Sequence, residues 1–241
     1  MTAAAVVLAA GAGTRMERDR PKAFLTAAGT SLLTLAVESA AACPGVSCVV
    51  VAVPSGWEHR ARSLLPVSGT VVVVTGGRTR QGSVRVALDE VPGDADAVLV
   101  HDAARALATP ALFEAVLDAV LAGADGAVPV VPVADTVKRI RDGWIAATES
   151  RDELALAQTP QGFVLPALRD AHRRAAEADV EFTDDAALME WAGHRVRAVA
   201  GEPDNFKVTT PEDLPRVEHV LAARAHARPA GPGTGDGRHG G

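Results

Sequence analysis

The sequence has no tyrosine, few other aromatic residues and only two cysteines. Aromatic residues make up 3% of its 241 positions, which argues against a surface that stacks on the bases of single-stranded nucleic acid. Cys43 and Cys48 cannot build a disulfide framework, nor complete a four-ligand zinc site without other side chains. We therefore expect two reduced cysteines, packed at a helix–strand junction, in a cytoplasmic protein.

Positive charge and long apolar runs are scarce as well. The chain has 24 Lys and Arg against 30 Asp and Glu, so its formal net charge of −6 offers no general basic field to nucleic acid. No apolar stretch approaches the roughly 20 residues of a membrane-spanning helix, and the N-terminal run lacks the basic segment of a signal peptide. We expect neither nucleic acid nor a membrane as partner, and an anionic ligand must be held by a local cluster of cations.

Hydrophobic residues, 48% of the chain, are concentrated in short Val-rich runs that alternate with helical patterns. Because the runs are continuous, we expect strands with both faces buried. The alternation predicts an α/β fold with a Rossmann-like, mostly parallel sheet flanked by helices. The predicted strands are Ala4–Leu8, Cys48–Val53, Thr70–Thr75, Ala97–His101, Ala127–Val131 and Val196–Ala200. The predicted helices are Ser31–Ala42, Trp57–Leu65, Arg80–Glu90, Pro110–Ala122, Pro166–Glu177, Asp184–Ala192 and Pro211–Ala225.

One segment, Asp135–Thr148, breaks this alternation. Polar and apolar residues alternate on both sides of Asp142-Gly143, which is a strong signal for a β-hairpin. We expect a β-hairpin arm at about residues 134–151 that projects from the sheet; the alternative is an arm folded back on its own sheet. We expect one domain over residues 1–227 and a disordered Gly- and Pro-rich tail at 228–241.

The first predicted strand runs into a small-residue loop, AAGAGTRM at residues 9–16, followed by Lys22. Glycine lets the backbone approach a ligand, and Arg15 and Lys22, with two further arginines between them, form a local anion site. The alternative is an ordinary strand–helix connection. The loop lacks the third glycine of a dinucleotide-binding fingerprint, and the chain has no phosphate-binding P-loop motif.

Asp102 lies at the carboxyl end of the fourth predicted strand, directly after His101 and at the same edge of the sheet as the first loop. A carboxylate facing phosphates needs a bridging cation, and Mg²⁺ is typically held by one or two carboxylates plus substrate phosphates; the alternative is a capping role in the following turn. Lys207 is a second candidate for binding phosphate, and the alternative is an ordinary surface lysine. Ser83 is a candidate ligand-binding residue, and the alternative is a residue that starts a helix.

Eight motifs together carry a resemblance. AAGAGTRM, Pro21-Lys22, GGRTRQGSV, VHDAAR, DTVKR, TPQGF, FTDDA and DNFKVT occur in this order across about residues 4–222. The set closely resembles the 2-C-methyl-D-erythritol 4-phosphate cytidylyltransferase family. The resemblance implies an α/β nucleotidyltransferase that joins CTP and methylerythritol 4-phosphate with Mg²⁺, releases pyrophosphate, and forms a homodimer through the β-arm.

The resemblance also implies a role for each matching residue. Arg15 and Lys22 would stabilise the transition state at the α-phosphate, Asp102 would bind the metal, and Lys207 would serve catalysis beside the sugar phosphate. The positions implied to contact CTP are Ala9, Ala10, Gly11, Ala12, Gly13, Gly77, Ser83 and Ala103. The positions implied to bind the acceptor substrate are Arg105, Thr136, Arg151, Thr159, Thr183 and Lys207. Thr136 and Arg151 would reach the partner's active site from the arm.

Three residues depart from the family pattern, in which Pro, Glu and an acidic or polar residue are usual at the positions of Ala106, Asp185 and Arg78.

Three alternatives compete with this function. The nearest is a cytidylyltransferase for another polyol phosphate, above all ribitol 5-phosphate. The others are a non-catalytic nucleotide-binding module and an NAD-dependent oxidoreductase, and the failed dinucleotide fingerprint opposes the latter.

Overall fold

The computed structural model describes residues 2–10, 20–65 and 70–227. Four of the residues assigned to the first loop, Gly11, Ala12, Gly13 and Arg15, lie outside the described residues, and so does the tail at 228–241. The predictions made for them stay predictions.

A mixed sheet runs through the centre of the described chain. Its strands are β1 (Ala3–Leu8), β4 (Val46–Val53), β5 (Thr70–Thr75), β6 (Ala97–Asp102), β7 (Gly126–Pro132), β10 (Ala155–Ala157), β11 (Gln161–Val164) and β12 (Val196–Ala200). The order is β10-β7-β11-β6-β1-β4-β5, with β12 paired to β7. Two small antiparallel pairs lie apart from it: β2 (Thr26–Ala27) with β3 (Thr30–Ser31), and β8 (Lys138–Arg141) with β9 (Trp144–Thr148).

Most neighbours in the main sheet are parallel, which confirms the predicted α/β fold. β6, β1, β4 and β5 pair in parallel, and β12 pairs in parallel with β7. β11 is inserted antiparallel between β6 and β7. The register sets Leu8 of β1 directly opposite Asp102 of β6, so both strands end at the same edge.

Helices cover both faces of the sheet, close to their predicted bounds. They are α1 (Leu32–Ala41), α2 (Glu58–Leu64), α3 (Arg80–Asp89), α4 (Pro110–Leu121), α5 (Leu165–Glu177), α6 (Asp185–Trp191) and α7 (Leu214–Ala227), with 3₁₀ turns at Lys22–Phe24, Arg151–Glu153 and Pro211–Asp213. Two caps matter for the site. The Thr79 hydroxyl accepts a hydrogen bond from the Gly82 amide at the start of α3, and the Asp184 carboxylate accepts one from the Ala187 amide at the start of α6.

The core has one apolar layer on each side of the sheet because successive side chains of a strand point to opposite faces. Val7 of β1 belongs to the layer that packs under α4 with Phe113. Its neighbour Val6 belongs to the layer that packs under α3 and α5 with Val84 and Leu168. A smaller cluster lies under α7.

The expectation that every Val-rich strand is buried on both faces is wrong for β5 and β12. Most residues of these two strands are exposed or only half-buried. Each pairs on one side only, so each is an edge strand that the helices cover incompletely. The inner strands β1 and β4 are almost completely buried, as expected.

The predicted hairpin is confirmed by β8 and β9, which turn at Asp142-Gly143 with positive φ at both residues. The side chains of Ile140 and Trp144 are exposed. Both cysteines are buried thiols that form no disulfide. Cys43 lies just after α1, and Cys48 lies within β4. Among the described residues, no helix has both the length and the apolar character needed to cross a bilayer.

Candidate active site

A cavity of about 330 Å³ opens at the carboxyl edge of β1 and β6. Its wall includes seven of the predicted residues, at the ends of several different elements: Ala9, Ala10, Lys22, Gly77, Ser83, Asp102 and Lys207. Ala103 is buried directly behind them, with its amide bonded to the Leu8 carbonyl at 3.0 Å. The sheet edge therefore brings together residues spread over most of the chain.

The glycine pair after β5 allows the loop to pack tightly against the start of α3. A Cβ added to Gly77 would lie 2.6 Å from the carbonyl carbon of Gly82, and one added to Gly76 would lie 2.4 Å from the Ala10 Cβ. Either contact is too close for a side chain, so only glycine fits. The glycine pair places Ser83 beside the loop that follows β1. The Ser83 hydroxyl donates a hydrogen bond to the Thr79 carbonyl at 2.9 Å.

Asp102 is the central carboxylate of the cavity. Its Oδ2 lies 2.6 Å from Lys207 Nζ, and its Oδ1 lies 3.3 Å from Arg80 Nε. Burial alone would raise the pKa of the Asp102 carboxyl, but the charges of Arg80 and Lys207 outweigh burial and hold that pKa well below its usual range. Asp102 is therefore ionised at neutral pH and balanced by two cations.

Thr159, two residues before the antiparallel strand β11, supports Asp102. Its hydroxyl accepts a hydrogen bond from the Asp102 amide at 3.0 Å and lies 3.0 Å from His101 Nδ1. His101 is fully buried, and burial lowers its pKa to about 4, so its ring is neutral at pH 7.

The segment that carries Lys207 is hydrogen-bonded to Thr159 and to the turn after β6. Asn205 Nδ2 donates to the Thr159 carbonyl at 2.9 Å, and the Val208 amide donates to the Ala104 carbonyl at 2.8 Å. Arg105 closes this group by donating to the carbonyls of Asn205 and Ala157, at 2.8 and 3.0 Å. These bonds on either side of Lys207 place its ammonium against Asp102.

Of the six predicted acceptor-binding residues, Lys207 lines the cavity, Arg105 and Thr159 bond to the backbone of Asp102, and the other three are not among the lining residues. Thr183 is exposed just before the Asp184 cap. Thr136 is exposed at the base of the arm, and Arg151 donates to the Ala134 carbonyl at 2.6 Å. Because the last two were expected to act in a partner's site, a single chain does not test their roles.

Sequence reasoning missed Arg80 and the residues that hold it. Arg80 lines the cavity and joins Asp102 to Asp185, whose Oδ2 lies 2.7 Å from Arg80 Nη1. Burial alone would lower the pKa of the Arg80 guanidinium, but the two carboxylates outweigh burial and raise it. The motif GGRTRQGSV contains Arg80, but its ion pair with a residue in FTDDA leaves no local signal in the sequence.

The donor set of the cavity fits Mg²⁺ better than a metal that needs a complete protein cage. In the part of the chain that the structure describes, no group of three His, Cys, Asp or Glu side chains is placed to hold a metal ion. Among the residues that the structure describes, Asp102 is the carboxylate that lines the cavity, beside two lysines that can also hold phosphate oxygens. One carboxylate together with substrate phosphates is an ordinary environment for Mg²⁺.

These features define an α/β enzyme that handles phosphorylated substrates by neutralising and orienting charge, as nucleotidyl transfer requires. A profile of the family described as IspD, 2-C-methyl-D-erythritol 4-phosphate cytidylyltransferase, matches residues 3–223. A protein of that name from Rhodococcus jostii (strain RHA1) is 46% identical over 223 residues, 92% of this chain and 96% of the relative.

Solved structures give the same result. The crystal structure of 2-C-methyl-D-erythritol 4-phosphate cytidylyltransferase from Thermus thermophilus is 35% identical, with a TM-score of 0.77 over 92% of this chain and 100% of that one. The 4-diphosphocytidyl-2C-methyl-D-erythritol synthase from Anaerococcus prevotii is 26% identical, with a TM-score of 0.82 over 92% and 96%. The chain belongs to the 2-C-methyl-D-erythritol 4-phosphate cytidylyltransferase family. It is a CTP-dependent nucleotidyltransferase of the isoprenoid pathway, and it transfers a cytidylyl group to methylerythritol 4-phosphate.

Proposed function

We propose that the cavity at the ends of β1 and β6 is where this transfer takes place. The observation that carries the proposal is the convergence of Lys22, Lys207 and Asp102 at one sheet edge. A phosphate oxygen of the acceptor forms a bond to the α-phosphorus of CTP, and the bond to the pyrophosphate leaving group breaks. The products are 4-diphosphocytidyl-methylerythritol and pyrophosphate.

The chain's contribution is positioning and charge neutralisation. The attacking group is already a phosphate anion, so no strong general base is needed. Lys22 and Lys207 neutralise negative charge that grows on the oxygens around the α-phosphorus, with Arg15 in the loop outside the described residues in the same role. Arg105, Thr159 and Thr183 are assigned to the acceptor phosphate and sugar.

Asp102 would hold Mg²⁺ together with phosphate oxygens of CTP. When bound, Mg²⁺ neutralises phosphate charge and orients the triphosphate. Asp102 suits this role because its depressed pKa keeps it ionised, and because Lys207 and Arg80 balance its charge in the protein alone. The small residues Ala9, Ala10 and Gly77 leave room for CTP, and Ser83 stands beside them at the start of α3.

The arm is proposed to complete a homodimer. Ile140, Trp144 and Ile145 are 56, 80 and 65% exposed, so the arm is not folded back on its own sheet. A second subunit would cover this apolar face and receive Thr136 and Arg151 beside its acceptor site. A cytoplasmic location stays a prediction that rests on the free cysteines.

The test is pyrophosphate release with CTP, Mg²⁺ and either methylerythritol 4-phosphate or ribitol 5-phosphate as acceptor. We expect turnover with methylerythritol 4-phosphate and a strong preference for CTP over UTP, because acceptors that pair with the cytosine amino group would be left unpaired by the uracil O4. Preferred turnover of ribitol 5-phosphate would assign the chain to the alternative acceptor. Equal turnover of UTP would contradict the proposed nucleotide site.

A further inference from the structure

Behind the cavity wall, a carboxylate and a histidine form a buried pair. Asp185, the first residue of α6, is 1% exposed, and His172 on α5 is 2% exposed. His172 Nε2 lies 3.1 Å from Asp185 Oδ1, while Asp185 Oδ2 lies 2.7 Å from Arg80 Nη1. A continuous chain of three polar side chains therefore links α5 to the cavity wall.

The Asp185 carboxylate is held in a fixed place. The side chain of Gln161 on β11 bonds to both neighbours of Asp185 in the chain, donating to the Asp184 carboxylate at 2.9 Å and accepting from the Ala186 amide at 3.2 Å. Burial alone would raise the pKa of the Asp185 carboxyl, but Arg80 and His172 outweigh burial and lower it. Asp185 is too deeply buried to contact a substrate, so any effect on the reaction must pass through Arg80.

His172 is suited to orient this carboxylate. The ionised Asp185 carboxylate can only accept a hydrogen bond, so His172 Nε2 carries a ring hydrogen and donates it to Oδ1. His172 Nδ1 is buried and has no hydrogen-bond partner among the described residues. The histidine thus fixes Asp185 Oδ1 and leaves Oδ2 for Arg80.

Of these three polar side chains, Arg80 is the one that lines the cavity. Its Nε contacts Asp102 and its Nη1 contacts Asp185, so its planar guanidinium is fixed in two directions at once. Without Asp185, the side chain would lose one of these contacts and could adopt other rotamers. Asp102 would then lose a partner of fixed orientation, and the cavity would lose a cation of fixed position.

We propose that His172 and Asp185 are positioning residues for the reaction, which act by holding Arg80 in the cavity wall. The inference rests on the proposed placement of CTP in this cavity. Holding Arg80 in advance reduces the side-chain ordering that CTP binding would otherwise require. Loss of the pair should therefore weaken CTP binding through Arg80, besides any effect on folding.

The experiment measures the Kd of CTP by calorimetry, and kcat and KM for both substrates, in His172→Leu, His172→Gln, Asp185→Asn and Arg80→Gln. We expect His172→Leu and Asp185→Asn to weaken CTP binding by about tenfold, the usual effect of a hydrogen bond to a charged group. His172→Gln should restore most of the affinity, because an amide N–H can still donate to Asp185. Asp170→Asn, in an exposed ion pair on α5, is the matched control and should bind CTP like the parent.

A double-mutant cycle separates positioning from simple support of the fold. If Asp185 acts through Arg80, the variant with both Asp185→Asn and Arg80→Gln binds CTP no more weakly than Arg80→Gln alone. Additive losses would overturn the proposal. So would variants that only melt at a lower temperature while the folded fraction keeps the parental Kd and KM. If the parent protein itself fails to release pyrophosphate from CTP and acceptor, the proposed function fails instead.

Discussion

The cavity wall and the arm are built in opposite ways. In the wall, charged side chains are paired within one chain, as the largely buried Asp102 carboxylate is with Arg80 and Lys207. In the arm, apolar side chains are exposed; Trp144, at 80%, is the clearest example. The described part of the wall is therefore organised within a single chain, whereas the arm carries an exposed apolar face of the kind that marks an interaction surface.

The most damaging change to the wall should be Lys22→Ala. The lysine faces charge that is largest in the transition state, so kcat should fall by about 10²–10³ while KM changes much less. Steady-state pyrophosphate release measures both constants. Arg173→Ala, in an exposed pair on α5, is the control and should keep the parental kcat. A Lys22→Ala enzyme with near-parental kcat would remove this lysine from catalysis.

On the arm, Trp144→Ser should act on association and not on the fold. Since Trp144 is 80% exposed in one chain, its loss should leave the folded subunit intact but raise the dimer Kd by about 30-fold, as for an interface hot spot. Sedimentation and light scattering over a dilution series measure this. Leu121→Ser, an exposed apolar change on α4, is the matched control. A parent protein that is monomeric at assay concentrations would refute the arm's role.

The buried wall should also respond to acid in a way that the exposed arm does not. The pKa of His101 is about 4 in the folded chain and near 6.5 when unfolded, so the unfolded chain binds the extra proton between these values. Stability should be fully present above about pH 6.5 and fall by about 2 kcal/mol as the pH drops to 5.

Urea unfolding at pH 7.5 and 5 measures this change. His101→Gln should flatten the pH dependence, whereas His219→Gln on the exposed side of α7 should not. An unchanged slope in His101→Gln would mean that another group causes the loss of stability.

The smallest expected signal comes from mixing subunits changed in the arm with subunits changed in the wall. Arg151→Ala and Lys22→Ala subunits should each be nearly inactive alone. If Arg151 acts in the partner's site, random mixing leaves one intact site in each mixed dimer, so about one quarter of parental activity should return. If Arg151 acts in its own subunit, every site carries one lesion and the mixture stays inactive.

Sequence reasoning captured the features that depend on local pattern. The parallel strands, the hairpin turn at Asp142-Gly143 and the position of Asp102 at a strand end are each signalled within a few residues. β11 was missed because its four residues contain a glycine and lie just after a proline, which is a weak strand signal. The exposure of β5 and β12 was missed because a Val-rich run does not reveal which strands lie at the sheet edge.

The part of the site that the sequence did not reveal depends on contacts between residues that are far apart in the chain. Arg80 and Asp185 are 105 residues apart, and neither motif alone indicates that the other is its partner. Asp185 stands out in the sequence as a departure from the family pattern, but its link to His172 depends on how α5 packs beside α6. Lys207 was predicted from its motif, whereas its contact with Asp102 required the fold.

The place of Lys207 in the chain has a consequence for synthesis. Asp102 takes one cation from Arg80, 22 residues earlier, and the other from Lys207, 105 residues later. On the ribosome, β1, β4, β5 and β6 are all made well before Lys207, because synthesis runs from the N-terminus. In a growing chain, Asp102 can therefore pair with Arg80 first, and its second cation becomes available only after the segment beyond β12 has been translated.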